Sequence, residues 1–168
     1  MAVREVLTYP NPKLKEISEE VREIDDYVRS VITDLKDTME DAGHSVGIAA
    51  PQIGELIRVI VVDPSKNPKC KEHHGPNVMI NPEIIKWEGL TQFREGCMSV
   101  PDYTGNVTRA EKILVQFLDE NGEQKVFETE GFEAILIQHE IDHLDGVLFI
   151  DRIISKRTDL FKRKNYKK

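Results

Sequence analysis

The residues best suited to chemistry are Gln138-His139-Glu140-Ile141-Asp142-His143. On a helix, residues four apart stack on one face, so His139 and His143 can reach one metal ion. Glu140 then stands beside that face, within reach of a water on the metal. The bland alternative is a surface helix turn carrying HExxH by chance.

A catalytic metal site usually takes three protein ligands and keeps one position open. The metzincin arrangement needs a third histidine six residues after His143, but Phe149 stands there. A downstream glutamate, as in thermolysin-like enzymes, is excluded because no residue after His143 is Glu. The third ligand must come from upstream, and Cys97 is the strongest candidate. A Cys–His–His set with an open position suits a divalent transition metal.

Gln52 also needs a role. It lies in Ser45-Val46-Gly47-Ile48-Ala49-Ala50-Pro51-Gln52-Ile53-Gly54, a small, apolar, uncharged run. Burying an amide without partners is costly. It either ties down a loop or donates to a substrate oxyanion.

The elements that position these groups follow from periodicity. Residues 1–24 read as an extended arm, with Pro10 and Pro12 opposing helix. Asp25 or Asp26 caps a helix whose apolar residues Val28, Val31, Ile32, Leu35, Met39 and Ala42 share a face, and Gly43 stops it. Asp34, Asp37, Glu40 and Asp41 fall on the solvated side. Leu56–Asp63 is β-branched and reads as a strand. The polar stretch 63–76 reads as a loop, and its Cys70, His73 and His74 lack a matching ligand cluster. Short strands follow at 78–80 and 83–90, broken at Pro82, with Trp87 expected to pack against the sheet. Glu95-Gly96-Cys97-Met98-Ser99-Val100-Pro101 reads as a strand end or turn, and Thr104-Gly105-Asn106 as irregular. Asn121-Gly122 is a hairpin signal between strands 113–118 and 125–129. From Gly131 to Gly146 the period is helical and apolar on several sides, so this helix is expected to be buried. Leu148-Phe149-Ile150 reads as a short strand or an apolar anchor.

A chain of 168 residues suits one domain. The N-terminal stretch lacks the apolar core of a signal peptide, and no apolar run reaches membrane-spanning length, so a cytoplasmic address with no membrane role is expected. Two cysteines do not make a disulfide framework. The net charge of −7 is uneven. From Ser155 onward, seven lysines and arginines stand against one acid, Asp159. Such a tail is either a contact for phosphate-rich partners or a solvated helix end.

Three stretches, SVGIAAPQIG, EGCMSVP and QHEIDHLDG, resemble the three motifs of peptide deformylases in order and approximate spacing. The resemblance runs from the TYPNP arm to LFIDRI. Ser45 stands where the family usually has glycine, Ile48 where leucine is common, and Met98 where leucine usually follows the cysteine. The resemblance implies an α+β fold, with small mixed sheets of antiparallel strands around a central buried helix carrying HExxH. Residues 1–154 would form a single catalytic domain and 155–168 a basic, helical tail that docks on the ribosome near the peptide exit.

It also implies hydrolysis of the formyl group from the N-formylmethionine of new polypeptides. Cys97, His139 and His143 would hold one divalent ion, typically Fe2+, with Zn2+, Ni2+ or Co2+ able to substitute. Glu140 would act as base and then acid. Gln52 and the Met98 backbone N–H would meet the oxyanion. Val46, Gly47 and Gly96 would pair with substrate backbone. Phe132, Ile135, Leu136 and His139 would line the methionine pocket with Glu95 nearby, and Glu95 would pair with Arg109. The rival readings are a zinc peptidase acting on unblocked peptides and a binding protein that lost activity.

Overall fold

The computed structural model describes residues 2–163. Strand β2 (Val59–Val62) explains the layering. All four of its residues are buried, because its two faces are covered by different helices. Side chains alternate across a strand. Val59 and Val61 face the cluster built on α1 (Asp26–Ala42), while Ile60 and Val62 face the cluster built on α2 (Phe132–Leu144). Beside it, β1 (Gly47–Ala49) and the start of β3 (Asn77–Cys97) divide in the same way. β4 (Val100–Leu118) and β5 (Gln124–Glu130) extend the sheet.

The strands form one antiparallel sheet in the order β1-β2-β3-β4-β5, and β6 (Leu160–Lys162) pairs with β4. The small separate sheets expected from sequence are therefore a single six-stranded sheet. The break expected at Pro82 is a bulge inside the long strand β3: pairing to β4 slips between Ile80 and Glu83, and Asn81 takes φ 53°. A proline has no N–H to give the ladder, so the strand absorbs it as a bulge. Thr104-Gly105-Asn106 is not irregular. It is an interior part of β4: Gly105 and Asn106 pair with β3, and Thr104 and Gly105 pair with β6. A Cβ on Gly105 would lie 2.4 Å from Ile153 Cδ1 and 3.0 Å from the Asp159 carbonyl oxygen, so a larger residue would have to move both.

Helix α1 begins where expected. The Asp25 side chain accepts from Val28 N–H at 3.0 Å, and Gly43 ends the helix at φ 79°. Asp34 departs from the expected solvated face. It is buried and paired with Arg4 of the N-terminal arm at 2.9 Å. Trp87 also departs, being 63% exposed on β3. Phe149 is a buried anchor within a short helical turn, Phe149–Arg152.

The tail is not a continuous helix. A short α3 (Lys156–Asp159) gives way to strand β6, because β4 still offers unpaired backbone at Tyr103–Gly105. The rest of the expected tail helix, 164–168, lies outside the described residues. No helix among the described residues is long and apolar enough to cross a membrane.

Candidate metal centre and active site

Eleven of the thirteen residues of α2 are buried, so its polar side chains must find partners inside the protein. Each polar group meets this demand in its own way. Glu133 accepts from Thr129 Oγ1 at 2.7 Å and from His74 N–H at 2.8 Å, with His74 Nδ1 at 2.7 Å. This ties the 63–76 loop to the helix and stacks His74 on Phe127. His74 is thus a structural anchor, not a ligand of a second site.

Asp142 accepts from Arg109 Nη1 at 2.6 Å and from Arg152 Nη2 at 2.8 Å. Arg109 also grips Glu95 with two parallel bonds of 2.8 and 2.9 Å. Glu95 Oε1 in turn lies 2.8 Å from His139 Nδ1. A carboxylate only accepts, so Nδ1 carries the proton and the Nε2 lone pair is left for another partner.

His139, His143 and Cys97 offer ligand atoms that all lie within 4.8 Å of one another, the one such group among the described residues. Two come from successive turns of α2. The third comes from the end of β3, where the chain turns through Met98 and Ser99 into β4. Cys97 Sγ is 3.4 Å from His143 Nε2 and accepts from Ser99 N–H at 3.4 Å. Gln52 Nε2 lies 3.5 Å from the same sulfur and 3.1 Å from Ser99 Oγ. Gln52 Oε1 accepts from Ala49 N–H at 2.9 Å, so this amide both fixes its own loop and faces the cluster.

Thiolate sulfur and imidazole nitrogen are the donors that suit divalent transition metals. Two buried atoms beside the cluster, Glu140 Oε1 and His143 Nδ1, have no hydrogen-bond partner. The donor set, with a carboxylate left unengaged beside it, fits a catalytic metal with an open position.

Charges in the site follow from burial and neighbours. Burial alone would raise Glu95, but the bonds from Arg109 and His139 outweigh it and bring its pKa down to about 2. Burial pushes Glu140 up to about 7. On His139, burial opposes the charge, yet the Cys97 sulfur and Glu95 prevail and raise its pKa; on His143, burial prevails and lowers it.

Beside the cluster opens a cleft of about 1120 Å³. Twelve of the thirteen residues singled out from sequence line it: Val46, Gly47, Gln52, Glu95, Gly96, Cys97, Met98, Phe132, Ile135, Leu136, His139 and Glu140. His143 sits behind them, fully buried. Strand β1 passes tightly over the helix. A Cβ on Gly47 would lie 2.8 Å from Glu140 Oε2 and 2.9 Å from Leu136 Cδ1, so any larger residue there must displace the Glu140 carboxylate and the Leu136 side chain.

Sequence reasoning missed Ser99, Asp142 and Arg152. Asp142 was visible in principle, as a carboxylate on an otherwise apolar helix; Ser99 and Arg152 gave no signal. It also missed Lys162 and Arg163, which line the cleft from β6 and the residue after it.

A family model described as polypeptide deformylase matches residues 3–159. The peptide deformylase of Pseudoalteromonas translucida is 42% identical over 98% of this chain and 95% of the relative. That of Thermodesulfovibrio yellowstonii is 41% identical over 98% and 97%. The crystal structure of a peptide deformylase from Legionella pneumophila superposes with a TM-score of 0.82 at 41% identity, covering 90% of this chain and 86% of the other. The Met-Ala-Ser-bound structure of the Acinetobacter baumannii enzyme gives 0.83 at 36%, covering 90% and 99%. A matched family model over most of the chain, near-complete coverage of relatives and the Cys97–His139–His143 cluster beside Glu140 agree: this chain belongs to the peptide deformylase family.

Proposed function

We propose that this chain is a metal-dependent hydrolase. It removes the formyl group from N-formylmethionine at the N-terminus of newly made polypeptides and releases formate and a free amine. The observation that carries this reading is the convergence of Cys97, His139 and His143 within 4.8 Å, beside a buried, unengaged Glu140 oxygen.

Cys97, His139 and His143 hold one divalent ion, with Fe2+ the native choice and Zn2+, Ni2+ or Co2+ able to replace it. When bound, the ion acidifies a water molecule and polarises the formyl oxygen. Glu140 takes the proton from the attacking water as its oxygen bonds to the formyl carbon. It then delivers that proton to the methionine nitrogen as the C–N bond breaks. Burial suits both roles, since a carboxyl in an apolar setting holds a proton more readily than one in water. The Gln52 amide and the Met98 backbone N–H meet the charge that develops on the formyl oxygen. Substrate backbone runs between Val46-Gly47 and Gly96 as an added strand, and Phe132, Ile135 and Leu136 receive the methionine side chain.

The Asp142–Arg109–Glu95 chain holds His139 in the tautomer that presents Nε2. Residues 1–154 form the catalytic domain, to which the basic segment 155–168 is appended, and the enzyme works in the cytoplasm. The ribosome is a partner reached through that segment. Sedimentation with ribosomes that does not weaken with added salt would remove it from the reading.

The testing experiment measures formate release from a formyl-Met peptide, with unformylated and acetylated peptides as controls and metal content read on the same anaerobic sample. Release confined to the formyl peptide is expected. Cleavage of the unformylated peptide would move the reading to a zinc peptidase. Glu140→Gln should keep the metal and lower kcat by about 10²–10⁴-fold.

A further inference from the structure

We infer that the cationic C-terminal strand selects substrates by the charge of the residues that follow the formyl-methionine. The inference rests on the deformylase reading above and concerns a part of the cleft that the reaction itself does not use.

The cleft is cationic along one end. Lys162 and Arg163 line it from the C-terminal segment, and Arg94 lines it from β3. The strand and the two arginine side chains are held in place. β6 pairs with β4 at Tyr103, Thr104 and Gly105, and the Arg163 N–H donates to Asp102 O at 2.7 Å. The Arg163 guanidinium reaches the Tyr103 carbonyl at 3.4 Å and lies over Gly96, where an added Cβ would meet Nη2 at 2.7 Å. Arg94 stacks on the Phe161 ring at 3.9 Å and donates through Nε to Thr104 Oγ1 at 3.2 Å.

The acids that line the same cleft do not cancel this end. Glu95 is committed to Arg109 and His139, and Glu140 lies under Gly47. Asp102 is the one acid beside the three cations. The surplus runs against the whole chain, whose net charge is −7.

A peptide laid along Gly96 would pass directly beside the Arg163 guanidinium. Fixed positive charge there favours aspartate or glutamate after the methionine and disfavours lysine or arginine. The charges lie at the mouth of the cleft, so the effect belongs to binding and not to the chemical step.

The test uses the full-length, metal-loaded protein and three C-terminally amidated peptides, so that one side chain is the only variable charge. These are formyl-Met-Ala-Asp, formyl-Met-Ala-Ser and formyl-Met-Ala-Lys amides. The expected kcat/KM is about fivefold higher for the aspartate than for the lysine peptide, the scale of one exposed charge pair. The difference should lie in KM. It should shrink as salt is added, a readout that needs no variant. In the Lys162→Glu/Arg163→Glu double variant the order of KM for the aspartate and lysine peptides should reverse, and an unchanged melting temperature would show that backbone bonds still hold β6.

Equal kcat/KM for the three peptides in the unaltered enzyme would overturn the inference and leave the deformylase reading standing. A preference that persists unchanged in high salt, or in the double variant, would also overturn it. Inactivity toward all three peptides with the metal in place would overturn the deformylase reading and the inference with it.

Discussion

Two arginines in this protein each bind two carboxylates, and they do different work. Arg109 lies inside the molecule, its side chain 2% exposed, between Glu95 and Asp142. Arg4 lies near the surface, its side chain 33% exposed, between Asp34 and Glu55. The partners are similar and the distances nearly equal, from 2.6 to 2.9 Å. Only the solvent differs. At Arg4, water reaches the guanidinium and Glu55, and the more buried Asp34 keeps the Ala2 N–H as a second donor. Arg109 is sealed from water, so a missing partner leaves a bare charge in the interior. The surface network fastens the N-terminal arm to α1 and to the segment after Gln52. The buried one fixes the orientation of His139.

The largest test of this difference is Arg109→Ala. Glu95 loses its buried arginine and Asp142 is left with Arg152 alone, and the variant should unfold about 3–5 kcal/mol more easily. Chemical denaturation measures this. A loss no greater than that of a surface pair would erase the distinction between the two networks.

Glu95→Gln is milder and sharper. The amide oxygen can keep the place of Oε1, which accepts from both Arg109 Nη2 and His139 Nδ1, but the NH2 group then faces the Arg109 Nε–H that Oε2 accepted, and the negative charge that strengthens the His139 bond is lost. The fold should survive while metal affinity falls about 10–100-fold, read by competition with a chelator. Unchanged affinity would mean that Glu95 does not orient His139.

Arg4→Ala should cost only about 1 kcal/mol or less. Its pH dependence has a definite sign. Arg4, helped by Tyr27, lowers the pKa of Glu55; at Asp34 burial pulls upward most strongly, but the Arg4 bond and the other donors on that carboxylate, the Ala2 N–H among them, together outweigh it and the net shift is down. A depressed carboxylate stabilises the fold above its unfolded value of about 4, and that contribution disappears as pH falls through the folded value. The difference in melting temperature between the unaltered protein and Arg4→Ala should therefore be full near neutrality and close in acid. A difference that widened in acid would show that Arg4 does not hold these carboxylates ionised.

The same contrast explains what the sequence made legible. The metal cluster could be read because its chemistry demands particular side chains at particular spacings: His139 and His143 four apart, and a thiol supplied from elsewhere. The Glu95–Arg109 pair came with the family resemblance, not from the pattern of residues around it. The Arg4 network was missed, and Asp34 was assigned to water, because an acid on an amphipathic helix gives no sign that a distant arm will cover it. The tail was misread for a related reason. Residues 155–168 carry the composition of a solvated helix, but the free backbone of β4 at Tyr103–Gly105 recruits Leu160–Lys162 as a strand. Trp87 was expected to pack because tryptophan usually does, and the outer face of the β3–β4 ladder leaves it in water. Local pattern reported what each segment prefers; it did not report what neighbour would reach it.

The placement of Cys97 at the turn between β3 and β4 has a consequence for the order in which the protein is made. His139 and His143 come together as soon as one helix forms, an event of microseconds. The thiol joins them only when the long hairpin has closed and α2 has docked against the sheet, contacts that must first overcome the entropy of closing large loops. Until then the helix presents only two of the three donors of the cluster. The third donor arrives with the finished fold, so the complete donor set exists only once folding is complete.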